Sequence, residues 1–249
     1  MIRFLIAILG SAWSCCLALA ADPLPMQYEA GPPSMRFETH MEGPAEWCGK
    51  TCRTWISAVG FITEQTAIDF ETFAKGNNVQ GATLALDSEG GSVLVALALG
   101  RAIRRFDMTT TVGKTIALPP NDGVARAKLY PDGACQSMCA FLLLGGTRRY
   151  VPPEAHVLVH MIWPRDKNSR AQDENYTAEE LGVVQHDIGS IARYTVEMGG
   201  TIELLETALR VPPWKPLYQL AADEVRSMRL TTMDRLPDED VHQVAMLRP

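Results

Sequence analysis

The segment GATLALDSEGGSVLVALALGRAIRRF, Gly81 to Phe106, restricts the available folds more than any other part of this sequence. Ala82 to Leu86 is a short apolar run closed by Asp87-Ser88-Glu89-Gly90-Gly91, the pattern of a buried strand ending in a glycine turn. Val93 to Phe106 is apolar on nearly every side and long enough for a helix packed on that strand. Thr109 to Thr115 is strand-like again. Strand, helix and strand in such close succession form a parallel crossover unit, so the expected class is α/β.

The flanking segments continue the pattern. Thr54 to Thr63, TWISAVGFIT, is rich in β-formers and reads as a strand. Thr66-Ala67-Ile68-Asp69 is a capping-box pattern opening a helix, with Ala67, Phe70 and Phe73 or Ala74 on one face, that Gly76-Asn77-Asn78 ends. Ser137 to Leu144 reads as a helix stopped by Gly145-Gly146, and Ala155 to Ile162, AHVLVHMI, as another buried strand. Between them and the first unit, Ile116 to Ala134 carries two turn signals in one long loop, a length that points to a lid or selectivity loop. A polar loop from Trp163 to Tyr176 leads to a second capping box, Thr177-Ala178-Glu179-Glu180. After it, Leu181, Val184, Ile188, Ile191, Thr195 and Met198 recur at spacings of three and four, the clearest amphipathic helix in the chain. Residues 202–209 and 221–228 read as shorter helices.

At 249 residues and 47% hydrophobic, the chain can bury a sizeable core, and we expect one α/β domain over 47–236. A proline-rich, poorly packed lead-in covers 21–46 and a frayed tail 237–249. Residues 1–20, MIRFLIAILGSAWSCCLALA, have one positive charge, a short apolar stretch and Ala18-Leu19-Ala20, the anatomy of a secretory signal peptide. The expected location is therefore periplasmic or secreted, with no stable membrane anchor after cleavage. The net charge is −6, and the basic clusters Arg101, Arg104, Arg105 and Arg148, Arg149 read as solvated faces, so no nucleic-acid partner is expected.

Beyond the leader four cysteines remain: Cys48, Cys52, Cys135 and Cys139. In an exported chain they are disulfide candidates, in any of three pairings. Two C-x3-C spacings match a zinc knuckle poorly, so no metal is expected. Residues four apart on one helix sit near the geometric limit for a bond, which favours cross-pairing between the two cysteine pairs.

Three features carry chemistry. Gly90-Gly91 sits between a strand and a helix, where free backbone N–H groups can hold an oxyanion, although such a turn needs glycine for its backbone angles alone. Ser137 heads a helix, and taken singly it reads as an N-cap. His160 lies in an apolar strand, four residues after His156, where a lone histidine is more often a satisfied core residue.

Taken together, DSEGGSV, QSMCAFLL and RRYVPPEAHVLVH resemble the motifs of the proteolytic subunit of the Clp protease and of the wider Clp protease/crotonase superfamily. With an export signal and cysteines around the serine, the chain most resembles the periplasmic or secreted Clp-protease-like proteins of bacteria. The resemblance spans about Thr54 to Ile162. It implies a repeated β-β-α superhelix, Ser137 as nucleophile, His160 as general base, and an oxyanion hole from Gly90 and the Met138 N–H, with Gly91 supporting the turn. It implies a peptide or acyl substrate, no cofactor, and self-association by analogy with ring-forming and trimeric relatives.

One part of the family pattern is missing. The segment matching the family's catalytic aspartate, Val211 to Leu220, contains no carboxylate, and Asp187, Asp223 and Glu224 fall off that position. The expectations are thus an exported serine hydrolase, or a catalytically silent binding or assembly protein of the same fold. A serine–lysine pair through Lys114 or Lys167, and crotonase-type acyl-coenzyme A chemistry, rank lower.

Overall fold

The computed structural model describes residues 33–48, 52–119, 125–163 and 175–237, all within one folded unit, Pro32–Pro249. The expected leader, Lys167 and all of the expected tail except Pro237 lie outside the described residues. Along the chain run β1 (Arg36–Met41), the short helix α1 (Ala45–Cys48), β2 (Thr54–Val59), α2 (Glu64–Gly76), β3 (Thr83–Asp87), α3 (Val93–Arg105) and β4 (Thr109–Val112). A hairpin of β5 (Lys114–Ala117) and β6 (Ala127–Tyr130) precedes β7 (Ala134–Gln136), α4 (Met138–Leu143), β8 (Arg148–Tyr150) and β9 (His156–Val159). Next come α5 (Ala178–Glu197), α6 (Glu203–Leu209), β10 (Tyr218–Gln219) and α7 (Ala222–Ser227).

The protein is mixed α/β. Its main sheet has the order β1-β2-β3-β4-β8, parallel from β2 to β8 with β1 antiparallel at the edge. The apolar run Thr83–Asp87 is buried on both faces, as parallel strands between two layers require: Leu84 and Leu86 enter the main core, and Ala85 packs with Trp55 on the other side. The lead-in is more ordered than its prolines imply. Its residues 36–41 supply β1, and Met35 is fully buried.

A second row of pairings runs beside the main sheet. Ile62 bridges Gly91, Ser88 bridges Cys135, and β7 pairs in parallel with β9, which β10 joins from the other side. Each of the parallel strands β2, β3, β4 and β8 is thus followed by a short second pairing and then a helix, as in β4, β7, α4 and again in β8, β9, α5.

Three expectations are corrected here. The long loop before Ser137 contains the hairpin β5–β6, which docks on the far face of the main sheet: Trp55 donates to Thr115 Oγ1 at 2.9 Å and packs with Ala127 and Leu129. Arg149 is not solvated. It is 4% exposed and donates to the backbone oxygens of Gly146, Met198 and Arg229, while Arg104 donates to those of Leu144, Gly145, Gly146 and Met198. Two guanidinium groups therefore satisfy carbonyls left open where α4 and α5 end. Burial, aided by the neighbouring Arg104, lowers the Arg149 pKa to about 10. Third, the cysteines pair within each C-x3-C, Cys48 with Cys52 and Cys135 with Cys139. The Cys135–Cys139 bond escapes the helical limit because Cys135 lies in β7 and only Cys139 in α4. With all four sulfurs bonded, a thiolate zinc site has no ligands left.

The helix starts follow side-chain chemistry. Thr177 and Glu180 form the expected box at α5, with the Thr177 hydroxyl accepting from the Glu180 N–H at 3.1 Å. At α2 the cap is Thr63 rather than Thr66, and Thr66 is buried with its hydroxyl accepting from the Thr63 N–H at 2.9 Å. The apolar stripe of α5 is covered progressively along the helix: Ile191, Thr195 and Met198 are buried, Val184 and Ile188 are half-buried, and Leu181 is exposed.

Candidate active site

The ends of β3, β7 and β9 bring the three sequence features to one place. Just past β3, the buried Ser88 ties this end down: its hydroxyl donates to the Gly60 oxygen at 2.6 Å, and its N–H and C=O pair with Ala134 and Gln136. Gly90 and Gly91 follow with φ of 84° and 145°, angles that side chains disfavour. Space demands glycine as well. A Cβ on Gly90 would lie 2.8 Å from the Met138 nitrogen and 2.9 Å from the Ser137 Cβ, and one on Gly91 would collide with the Ile62 carbonyl.

The two glycine amides differ. The Gly90 N–H donates to Ser88 Oγ at 3.1 Å, so the donor expected of Gly90 is already engaged. Gly90 O and Ser92 N–H form the bridge to Ile62, which leaves the Gly91 N–H without a hydrogen-bond partner among the described residues. The Met138 N–H, first in α4, likewise has none. The free amides at this corner are therefore those of Gly91 and Met138, a distinction that the letters Gly-Gly do not carry.

Ser137 joins β7 to α4 with φ 54° and ψ −122°, a conformation sparsely populated by any residue with a side chain. Its N–H donates to the Leu158 oxygen at 2.8 Å and its C=O accepts from the Ala140 N–H, so the backbone turn is held from both sides. Although Ser137 occupies the N-cap position, its hydroxyl makes no capping bond to α4. Sharp strand-to-helix turns of this kind expose a serine oxygen instead of spending it on the helix. The Cys135–Cys139 bond straddles the turn, and both cysteines are fully buried.

His160 follows the end of β9, the parallel neighbour of β7, two residues beyond the Leu158 that pairs with Gln136. The next residue is fixed by Met161 N–H donating to the Val211 oxygen at 2.9 Å. Burial lowers the imidazole pKa below its ordinary value, opposed by a hydrogen bond to the Met161 backbone. Its sequence companion His156 stands apart, exposed and paired with Gln219 Oε1 at 3.2 Å.

Ser137, Met138, His160 and Gly91 line one cavity of about 810 Å³, with Ile62, Val93, Ile162 and Trp163 as its apolar surfaces. The volume is that of a ligand site. None of the described residues of the β5–β6 hairpin lines it, because the hairpin packs on Trp55 across the sheet, so a lid role has no support there. No hydrogen bond joins Ser137 to His160, and no carboxylate bonds the His160 ring, among the described residues. Glu224 is committed elsewhere, accepting from Tyr218 OH and the Ala221 N–H, whereas Asp187, which sequence matching set aside, lies in the cavity wall. Lys114 is exposed on β5, outside the cavity. Among the described residues no His, Cys, Asp and Glu cluster is arranged for a metal ion.

No protein-family model matches the chain, and no curated protein is similar to it.

Proposed function

We propose that this protein is an exported serine hydrolase acting on peptide or other acyl bonds through an acyl-enzyme on Ser137. The observation carrying this reading is that a hydroxyl in a strained strand-to-helix turn, an imidazole and two unpaired main-chain N–H groups share one cavity. In the reaction, Ser137 Oγ attacks the carbonyl carbon while His160 takes its proton, and the Gly91 and Met138 amides receive the developing oxyanion. His160 then returns the proton to the leaving group, and water hydrolyses the ester by the same steps.

The alternation of main strand, short second pairing and helix supports assigning the chain to the Clp protease/crotonase superhelix. Two disulfides support an oxidising compartment, periplasmic or extracellular. Among the described residues, no helix is long and apolar enough to cross a membrane.

The lack of a carboxylate on His160 favours a second reading, a silent binding protein of the same fold. A fluorophosphonate probe separates the two. Labelling of wild type that is lost in Ser137→Ala, with unchanged melting, supports the hydrolase; folded wild type that stays unlabelled supports the binding protein.

A further inference from the structure

Among the described residues, the titratable groups around the cavity other than His160 share one sign. Asp187 projects from α5, and Glu64 and Glu89 stand at the mouth, while no lysine or arginine lines the wall among the described residues. Asp187 differs from the two glutamates in being drawn inward, with its side chain only 16% exposed. Among the described residues the ion pair it makes is with His186, at 3.7 Å and with a ring 74% exposed, too far for a good hydrogen bond. Nor is the carboxylate hydrogen-bonded to the ring of His160 among the described residues. The cavity thus holds an inward carboxylate with no lysine or arginine partner among the described residues. The same cavity is lined by Ile162 and Trp163, surfaces suited to the aliphatic stem and charged head of a long basic side chain.

We propose that Asp187 is a specificity-determining residue that selects peptides carrying a lysine or arginine side chain next to the bond presented to Ser137. The assignment rests on the reading of this cavity as the substrate site, but not on its chemistry being intact. A carboxylate in a partly enclosed cavity is weakly screened, so it attracts a cationic side chain and repels an anionic one. The same field opposes polyphosphate-bearing acyl carriers, which separates this cavity from acyl-coenzyme A chemistry.

The test uses the full mature chain carrying Ser137→Ala, so that binding is read without turnover. Three fluorescent peptides identical except for lysine, norleucine or glutamate at one position are titrated by anisotropy. The lysine peptide is expected to bind about tenfold or more tightly than the norleucine peptide, and the glutamate peptide most weakly. Adding Asp187→Asn should bring the lysine peptide down to the norleucine level, while Asp187→Glu retains the preference. Equal binding of all three peptides, binding of none, or a lysine preference that survives Asp187→Asn in a variant of unchanged melting overturns the proposal. Fluorophosphonate labelling of the wild type is read in parallel. A labelled protein without lysine preference refutes the Asp187 assignment alone, and an unlabelled one with the preference refutes the hydrolase reading alone.

Discussion

Ser137, His160 and Gly91 show how a single position acquires a role from its surroundings. A serine before a helix is ordinarily a cap, yet here the positive φ turns the hydroxyl away from α4, and no helical N–H receives it. That outcome depends on contacts between Gly90, Gln136 and Met138, which meet only after three segments have come together. For the same reason the motif Gly-Gly located the corner without telling which amide is free; that was settled by Ser88, whose hydroxyl takes the Gly90 N–H. In the mechanism proposed for Ser137, the lowered pKa of His160 has a kinetic consequence. A base must be neutral to accept the serine proton, and burial holds the ring neutral to lower pH than free imidazole. The rate of Ser137 labelling should therefore rise with pH through a midpoint below 6.5 and be flat at neutrality. A midpoint above 7 would contradict the buried, carboxylate-free environment, since a partner carboxylate raises a histidine pKa.

The strands and helices were readable where pattern and burial agree. β3, α3 and the capped start of α5 follow from an apolar run, a glycine turn and a Thr-x-x-Glu box that act locally. Other features were hidden because distant partners decide them. β1 lies in a proline-rich stretch and is held by pairing with β2. The cysteine pairing turned on where β7 ends, and Arg149 reads as a surface residue until the open carbonyls of α4 and α5 are placed around it. The hairpin β5–β6 looked like a lid by length alone, but it is fastened through Trp55 to the sheet face opposite the main core. We predict that Trp55→Ala costs about 3–5 kcal/mol of stability by opening a cavity under the hairpin. Below its melting temperature the variant should label at Ser137 at the wild-type rate. Unchanged melting would show that Trp55 does not fasten the hairpin, and a labelling rate that falls with the fold intact would show that the hairpin serves the cavity after all.

For the protein taken entire, the account rests on a division of labour between two layers. The parallel sheet and its helices form the buried scaffold, and the second row of short pairings carries Gly91, Ser137 and His160 at its strand ends, where backbone groups remain unpaired. Two disulfides confine short loops, one of them across the turn at Ser137, which suits a protein outside a reducing compartment. The central claim is covalent: Ser137 carries the acyl group during turnover. It is tested most directly by quenching a reaction with an activated p-nitrophenyl ester in acid and mapping the modified peptide by mass spectrometry. The account predicts an acyl increment on the peptide containing Ser137, formed in the wild type and strongly reduced in His160→Ala. An increment on any other residue, or none while the ester is consumed, would contradict it.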